Sequence, residues 1–367
     1  MRILIATNHS YMFYRFRKEL MEALMQEHEV ILSTPFVGHE DDLQAMGLRC
    51  IDTEIDRRSI NPFKDMKLLK TYQKLLDEIQ PELVITYSIK PNIYMGSACK
   101  AKGIPYVINV QGLGTAFEKP MLSSVVSVMY RSALRNAKAV FFENEENAQF
   151  FLHKNIISAQ QMKILPGAGI NLDEYPYVPL RDDGVCSFLF VGRIMKEKGV
   201  DEFFAAARTI KAELGKKVAF DVVGFYEDAY KETVDQLVAD EVIKFHGFQT
   251  DVHPFYEAAD CVVLPSYHEG MSNVLLEAAA SGRALITSDI PGCREAVEDG
   301  VSGYLCPVQN AEALTKCFRV FADKTRNEQE QMGRYGRALI ERKFDKRVVV
   351  AQTIDSLGLV EAARSKA

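Results

Sequence analysis

The chain has 367 residues, 47% of them hydrophobic and 26% charged, with a formal charge of −6. That length exceeds what one hydrophobic core usually organises and points to two domains, hence to a cleft. No window approaches the ~20 apolar residues of a spanning helix, and the acidic balance argues against nucleic acid as the main partner.

The first residues, Met1 to Ala6, run straight into a β-like apolar stretch without the pattern of a secretory leader, so a cytoplasmic location is expected. Short β-branched runs then alternate with amphipathic segments. Strand Arg2–Ala6 precedes a helix over Phe13–Gln26, strand Glu29–Ser33, a helix over Asp41–Ala45 and strand Arg49–Asp52. A helix over Pro62–Ile79, strand Leu83–Tyr87, a helix near Asn92–Lys102, strand Tyr106–Val110, a helix near Leu122–Asn136 and strands Ala139–Phe142 and Lys163–Leu165 continue the series. This is the rhythm of a parallel sheet covered by helices.

Between Asn171 and Gly184 the periodicity stops, and Pro176, Pro179 and Gly184 favour extended or turned backbone, so the interdomain linker is placed there. The alternation restarts with strands Ser187–Val191, Ala219–Val223, Ile243–Phe245, Cys261–Pro265 and Ala284–Thr287, separated by helix-like segments. The domains are therefore expected at 1–172 and 185–345. A last apolar-periodic stretch, within 346–367, can pack on either one. Seven scattered cysteines without a C-x-x-C pair read as reduced core residues.

Chemistry concentrates in the second half. Gly192-Arg193 and Glu197-Lys198-Gly199 directly follow a strand, where a doubly wound sheet binds ligands and two cations can neutralise a diphosphate. Pro265 to Ala278 follows another strand, with Ser272 placed to N-cap a helix whose free N–H groups form an anion site. Glu269 and Glu277 flank that site as hydroxyl acceptors. Phosphate binding beside hydroxyl acceptors suits a nucleotide sugar.

Taken together, Gly192-Arg193, Glu197-Lys198-Gly199, the Glu269-x7-Glu277 spacing and Pro291-Gly292 before Glu295 resemble retaining glycosyltransferase family 4 over essentially the whole chain. The resemblance implies the α/β GT-B fold, two Rossmann-like domains with parallel sheets facing across a cleft. The motifs Tyr87-Ser88-Ile89-Lys90-Pro91-Asn92 and Gly112-Leu113-Gly114-Thr115-Ala116 are similar to a bacterial subgroup that builds capsule, O-antigen or lipid-linked glycans.

By that resemblance, Arg193 and Lys198 hold the donor diphosphate together with backbone amides of Met271, Ser272, Asn273 and Val274. Glu277 binds the ribose, Glu269 contacts the hexose near the reacting carbon, and Gly270 admits the sugar close to the backbone. The resemblance also implies a UDP-sugar donor and a polyprenyl-diphosphate-linked glycan acceptor, with no cofactor and no metal. The chain itself carries no Asp-x-Asp and no His-Glu-x-x-His. Two departures stand out. Gln111-Gly112 follows strand Tyr106–Val110 where many members place a histidine, which puts a histidine-dependent role in doubt, and the loop Ala6 to Ser10 lacks the glycines common there.

The acceptor is expected at the first domain, where Tyr11, Met12, Phe13, Tyr14 and Phe16 interleave with Arg15, Arg17 and Lys18. Lys64, Lys67, Lys70 and Lys74 recur at helical spacing, and Met121-Leu122, Val125-Val126 and Met129 form an apolar run, so peripheral contact with the inner membrane is an expectation beside the ordinary roles of such residues as solvated face and core. Three alternatives remain at this level: a nucleotide-sugar 2-epimerase of the same fold, a non-catalytic nucleotide-sugar binding protein, and a dinucleotide oxidoreductase. The last lacks a G-x-G-x-x-G after the first strand.

Overall fold

Runs such as Ile3-Leu4-Ile5 and Val262-Val263-Leu264 are buried on both faces, as strands sandwiched between helix layers must be. The structure is a computed structural model describing residues 1–56, 61–113 and 120–359, with 120–122 by backbone alone. It divides into two units, Met1–Gly169 together with the chain from Lys346, and Ile170–Asp345.

In the first unit the strands are β1 (Arg2–Ala6), β2 (Glu29–Thr34), β3 (Arg49–Asp52), β4 (Leu83–Tyr87), β5 (Tyr106–Val110), β6 (Ala139–Phe142) and β7 (Met162–Ile164). They form a parallel sheet in the order β3-β2-β1-β4-β5-β6-β7. Its helices are α1 (Ser10–Met25), α2 (Glu40–Ala45), α3 (Pro62–Ile79), α4 (Ile89–Lys102), α5 (Pro120–Leu134) and α6 (Glu145–His153). Helix α3 begins where Asn61 Oδ1 accepts from the amides of Phe63 and Lys64 and Pro62 pre-sets the first turn. Helix α1 starts three residues before its expected position because His9 Nδ1 serves as the cap acceptor for Met12 N at 3.4 Å.

The second unit holds β8 (Cys186–Val191), β9 (Val218–Val223), β10 (Lys244–Phe245), β11 (Cys261–Leu264), β12 (Ala284–Ser288) and β13 (Gly303–Cys306), ordered β10-β9-β8-β11-β12-β13 and all parallel. Helices α7 (Val200–Leu214), α8 (Lys231–Ala239), α9 (His253–Ala258), α10 (Asn273–Ala280), α11 (Ala311–Ala322) and α12 (Arg326–Phe344) cover it. Strand order reverses between β1 and β4 in one sheet and between β8 and β11 in the other, which opens a crevice at the carboxyl ends of each pair.

Two features differ from the expectation or were left open by it. The segment 171–184 is no linker standing between domains; it is part of the second unit. Its extended, proline-containing backbone leaves carbonyls to be satisfied, and arginines supply the donors. Arg337 donates to Tyr175 O at 2.5 Å and the buried Arg283 to Val178 O, while Tyr177 Oη donates to Glu330 at 2.8 Å. The other concerns α13 (Lys346–Ser356), which packs on α1 in the first unit. There Lys346 Nζ donates to Phe16 O at 3.0 Å, and Leu357 and Leu359 join the core formed by Phe13, Leu20 and Leu24.

All seven cysteines are free, and burial pushes the thiols of Cys99, Cys186 and Cys306 up to about 12. Among the described residues no helix is long and apolar enough to cross a membrane.

Candidate active site

At the carboxyl end of β8, the turn Lys196–Gly199 is pinned to the loop after β11. Gly199 has φ +71°, and a Cβ there would collide with the Pro265 carbonyl, so only glycine admits this approach. Tyr267 N donates to Glu197 O at 2.8 Å, closing the same contact from the other side. The clamp brings together two side chains 71 residues apart: Lys198 Nζ donates to Glu269 Oε1 at 2.5 Å, both largely buried. Ser266 Oγ donates to the same Oε1 at 2.8 Å. Among the described residues Glu269 Oε2 has no hydrogen bond, so one oxygen is anchored and the other is available to a ligand hydroxyl.

The loop continues into α10. Ser272 occupies the N-cap position in extended conformation, yet its side chain makes no capping bond, contrary to the expectation from its position. Its own amide is instead held by Gly292 O at 2.9 Å, and Gly292 lies directly against the Gly270 carbonyl. The amides of Asn273, Val274 and Leu275 therefore have no partner among the described residues. Three unsatisfied N–H groups at a helix N-terminus, with the positive end of its dipole, make a place for an anion.

Glu277, one turn further, is 6% exposed rather than lying on a solvated helix face. The buried Tyr256 of α9 donates its hydroxyl to Glu277 Oε2 at 2.9 Å and orients the carboxylate. Arg193 behaves differently: its side chain is 44% exposed and meets Glu227 only at 3.8 Å, so it is loosely held beside the loop. Beneath Glu269 lies the fully buried Cys293, whose thiol is pushed up by burial and then by the Glu269 charge.

Lys198, Glu269, Gly270, Met271, Ser272, Asn273 and Val274 are thus gathered around one loop and helix end. Gln111 and Gly112 belong to the first unit, at the carboxyl end of β5. Gly114, Thr115 and Ala116 lie outside the described residues, as do the side chains of Met121 and Leu122. Sequence reasoning missed Ser266 and Tyr256. Ser266 could have been found from its place three residues before Glu269; Tyr256 could not, because its partner is 21 residues away with no local pattern linking them. It also missed Phe225 and Phe248, exposed after β9 and β10 with ring centroids 6.0 Å apart. Among the described residues no group of three His, Cys, Asp or Glu side chains could hold a metal ion.

Two doubly wound units, one of which presents cations, open helix amides and oriented carboxylates at its switch point, define a glycosyltransferase of the GT-B fold. The chain belongs to glycosyltransferase family 4: residues 2–144 match the model described as glycosyl transferase 4-like, and residues 175–339 match glycosyl transferases group 1.

It is 28% identical over 335 residues, 86% of this chain and 88% of the relative, to the N,N'-diacetylbacillosaminyl-diphospho-undecaprenol alpha-1,3-N-acetylgalactosaminyltransferase of Campylobacter jejuni. It is 27% identical, over 74% of each chain, to the UDP-Gal:alpha-D-GlcNAc-diphosphoundecaprenol alpha-1,3-galactosyltransferase of Escherichia coli. Among solved structures, Anabaena HepE in complex with UDP-glucose superposes with a TM-score of 0.80 at 17% identity, covering 98% of this chain and 99% of that one. The Campylobacter and E. coli relatives are named as glycosyltransferases and both family models describe glycosyl transferases, so the activity is transfer and not 2-epimerisation.

Proposed function

We propose that the chain is a retaining, metal-independent transferase that moves a hexose or N-acetylhexosamine from a UDP-sugar to a polyprenyl-diphosphate-linked glycan, working at the cytoplasmic face of the inner membrane. The observation that carries this is the Lys198–Glu269 pair beside the uncapped amides of α10. It puts a cation from the turn after β8 beside a half-engaged carboxylate and an anion-binding helix end from the loop after β11, matching a diphosphate joined to a sugar.

In this reading Lys198, Arg193 and the amides of Asn273 and Val274 neutralise the diphosphate. Glu269 Oε2 accepts from sugar hydroxyls, Gly270 and Met271 let the ring lie against backbone, and Glu277 accepts from the ribose. Gln111 and Gly112, at the carboxyl end of β5 in the first unit, are assigned to substrate binding by the family resemblance alone. The bond from the anomeric carbon to the phosphate oxygen breaks while the acceptor hydroxyl adds from the same face. Its proton passes to the departing phosphate oxygen, and UDP leaves. The protein contributes position and electrostatic stabilisation, a contribution of several kcal/mol by comparison with oxyanion sites (~3–4 kcal/mol for one donor).

The choice of acceptor is supported by the diphospho-undecaprenol substrates named for the Campylobacter and E. coli relatives. The choice of UDP is supported by the UDP-glucose complex of HepE. A thermal-shift screen against UDP, GDP, ADP, CMP and NAD, followed by UDP-sugars and lipid-linked acceptors, tests the reading. A ligand near ~100 times its Kd stabilises by ~2.7 kcal/mol. Selective stabilisation by UDP and one UDP-sugar is expected; a response to NAD alone, or transfer without retention of anomeric configuration, would overturn it.

A further inference from the structure

The first unit carries a charge asymmetry that the donor site does not use. In a chain of net charge −6, no Asp or Glu occurs from Pro120 to Phe142 or from Asn147 to Leu172. These segments contribute Arg131, Arg135, Lys138, Lys154 and Lys163, and they meet at one corner formed by α5, α6 and the edge strand β7. The carboxylates of α6, Glu145 and Glu146, sit in its first turn, at the opposite end of that helix from the corner.

At the corner is a cavity of about 760 Å³ lined by Lys100, Arg131, Arg135, Val128, Ser158 and Gln161 among others, with no acidic side chain in its wall. Two of its cations are fixed in place. Arg131 donates to Lys154 O and Asn155 O at 2.6 and 2.9 Å, and Lys100 donates to Ser132 O at 2.9 Å, so both are held by neutral carbonyls and keep their charge uncompensated. Arg135 has no carboxylate partner among the described residues.

Helix α5 presents a second feature. Val125, Val128, Ser132 and Arg135 share one face by their spacing, and Val125 and Val128 are 57% and 60% exposed. One exposed stripe is therefore apolar towards its start and cationic towards its end. A helix of this kind lies in the plane of a bilayer surface, with apolar side chains at the acyl boundary and cations among the phosphates. No exposed aromatic ring accompanies it among the described residues, so base stacking has no platform here.

We infer that this corner docks on an anionic phospholipid surface, with a phosphate headgroup entering the cavity between Lys100, Arg131 and Arg135 while Val125 and Val128 enter the interface. The inference deepens the membrane-linked acceptor reading and rests on it for its purpose. The amino-terminal end of α5 lies towards the carboxyl edge of the sheet, the edge at which doubly wound folds place their ligands.

Flotation of the full-length protein with phosphatidylglycerol–phosphatidylethanolamine vesicles, against phosphatidylcholine vesicles, tests it. Binding only to the anionic vesicles is expected, weakened by added salt. The exposed pair Arg135→Gln with Lys138→Gln should reduce the partition about 30-fold, at about fivefold per cation near the surface. Val125→Ser with Val128→Ser should reduce it independently. Far-UV circular dichroism and ligand-free thermal melting of each variant establish that the substituted unit is folded. Wild-type partition in both variants, equal binding to phosphatidylcholine, or tighter retention on single-stranded nucleic acid at the same salt would each overturn the inference. Transfer to a water-soluble acceptor glycan is measured in parallel: its absence in the wild type counts against the transferase reading alone, whereas vesicle binding needs no turnover.

Discussion

Lys198 Nζ and Glu269 Oε1 stand 2.5 Å apart, so the cation assigned to the donor diphosphate is already neutralised by the carboxylate assigned to the donor sugar. The pair has a physical consequence. When a diphosphate enters, Lys198 shares its charge between phosphate and carboxylate, and Glu269 stays anchored through Ser266 Oγ. Removing either member leaves the other as an unpaired, largely buried charge.

Lys198→Ala should therefore lower kcat/KM by roughly 2–4 kcal/mol of transition-state stabilisation. Steady-state kinetics with the UDP-sugar check this. An unchanged kcat/KM would remove Lys198 from the site.

Glu269→Ala should impair transfer far more than UDP affinity, because in the proposed function the carboxylate is assigned to the sugar and not to the nucleotide. Comparing kcat with the UDP dissociation constant from calorimetry decides it. Equal losses in both would mean that the carboxylate serves the nucleotide.

Tyr256→Phe removes the donor to Glu277 Oε2. A lost hydrogen bond to a buried charged group costs roughly 1.5–3 kcal/mol, so the donor KM should rise about tenfold or more while kcat changes little. Inhibition by UDP and by its 3'-deoxy analogue should converge in the variant. If both analogues keep their wild-type ratio, Tyr256 does not position the ribose acceptor.

Gly199→Ala combines positive φ with a collision against the Pro265 carbonyl. It should destabilise by more than about 2 kcal/mol and abolish donor binding. Gly103→Ala, at φ +68° with open space around its Cβ position, should cost only about 1 kcal/mol. Chemical denaturation of the two variants separates strain from collision; equal losses would refute the clamp.

Alkaline stability follows from the thiols. Burial raises the Cys99 pKa from its ordinary 9.0 to about 12, so the folded state keeps a proton that the unfolded state loses. This contribution is complete below pH 9 and is lost as pH rises from 9 towards 12, on the order of 1 kcal/mol per pH unit. The melting temperature should fall between pH 9 and 10.5, and less steeply in Cys99→Ala. A parallel fall in the variant would assign the alkaline loss to other groups.

Helix α3 has the same bounds in the sequence pattern and in the fold, because its cap, its proline and its apolar period are all local. The strands read as apolar runs because both faces of a parallel sheet are covered. The start of α1 lies earlier than its apolar period suggests because a histidine cap is not among the usual signals. The segment 171–184 has the composition of a linker because prolines look the same whether or not arginines pin their carbonyls.

From local pattern alone come the α/β alternation, the two-domain division in outline and the loops that carry Arg193, Lys198, Glu269 and Glu277, since periods of 2 and 3.6 and strand-end motifs are written in neighbouring residues. The pairing of Lys198 with Glu269 and of Tyr256 with Glu277, and the return of α13 to the first unit through Lys346 and Phe16, need the folded chain. Those contacts join residues 71, 21 and 330 positions apart. What brings them together is strand order and helix packing, and no short-range periodicity encodes either.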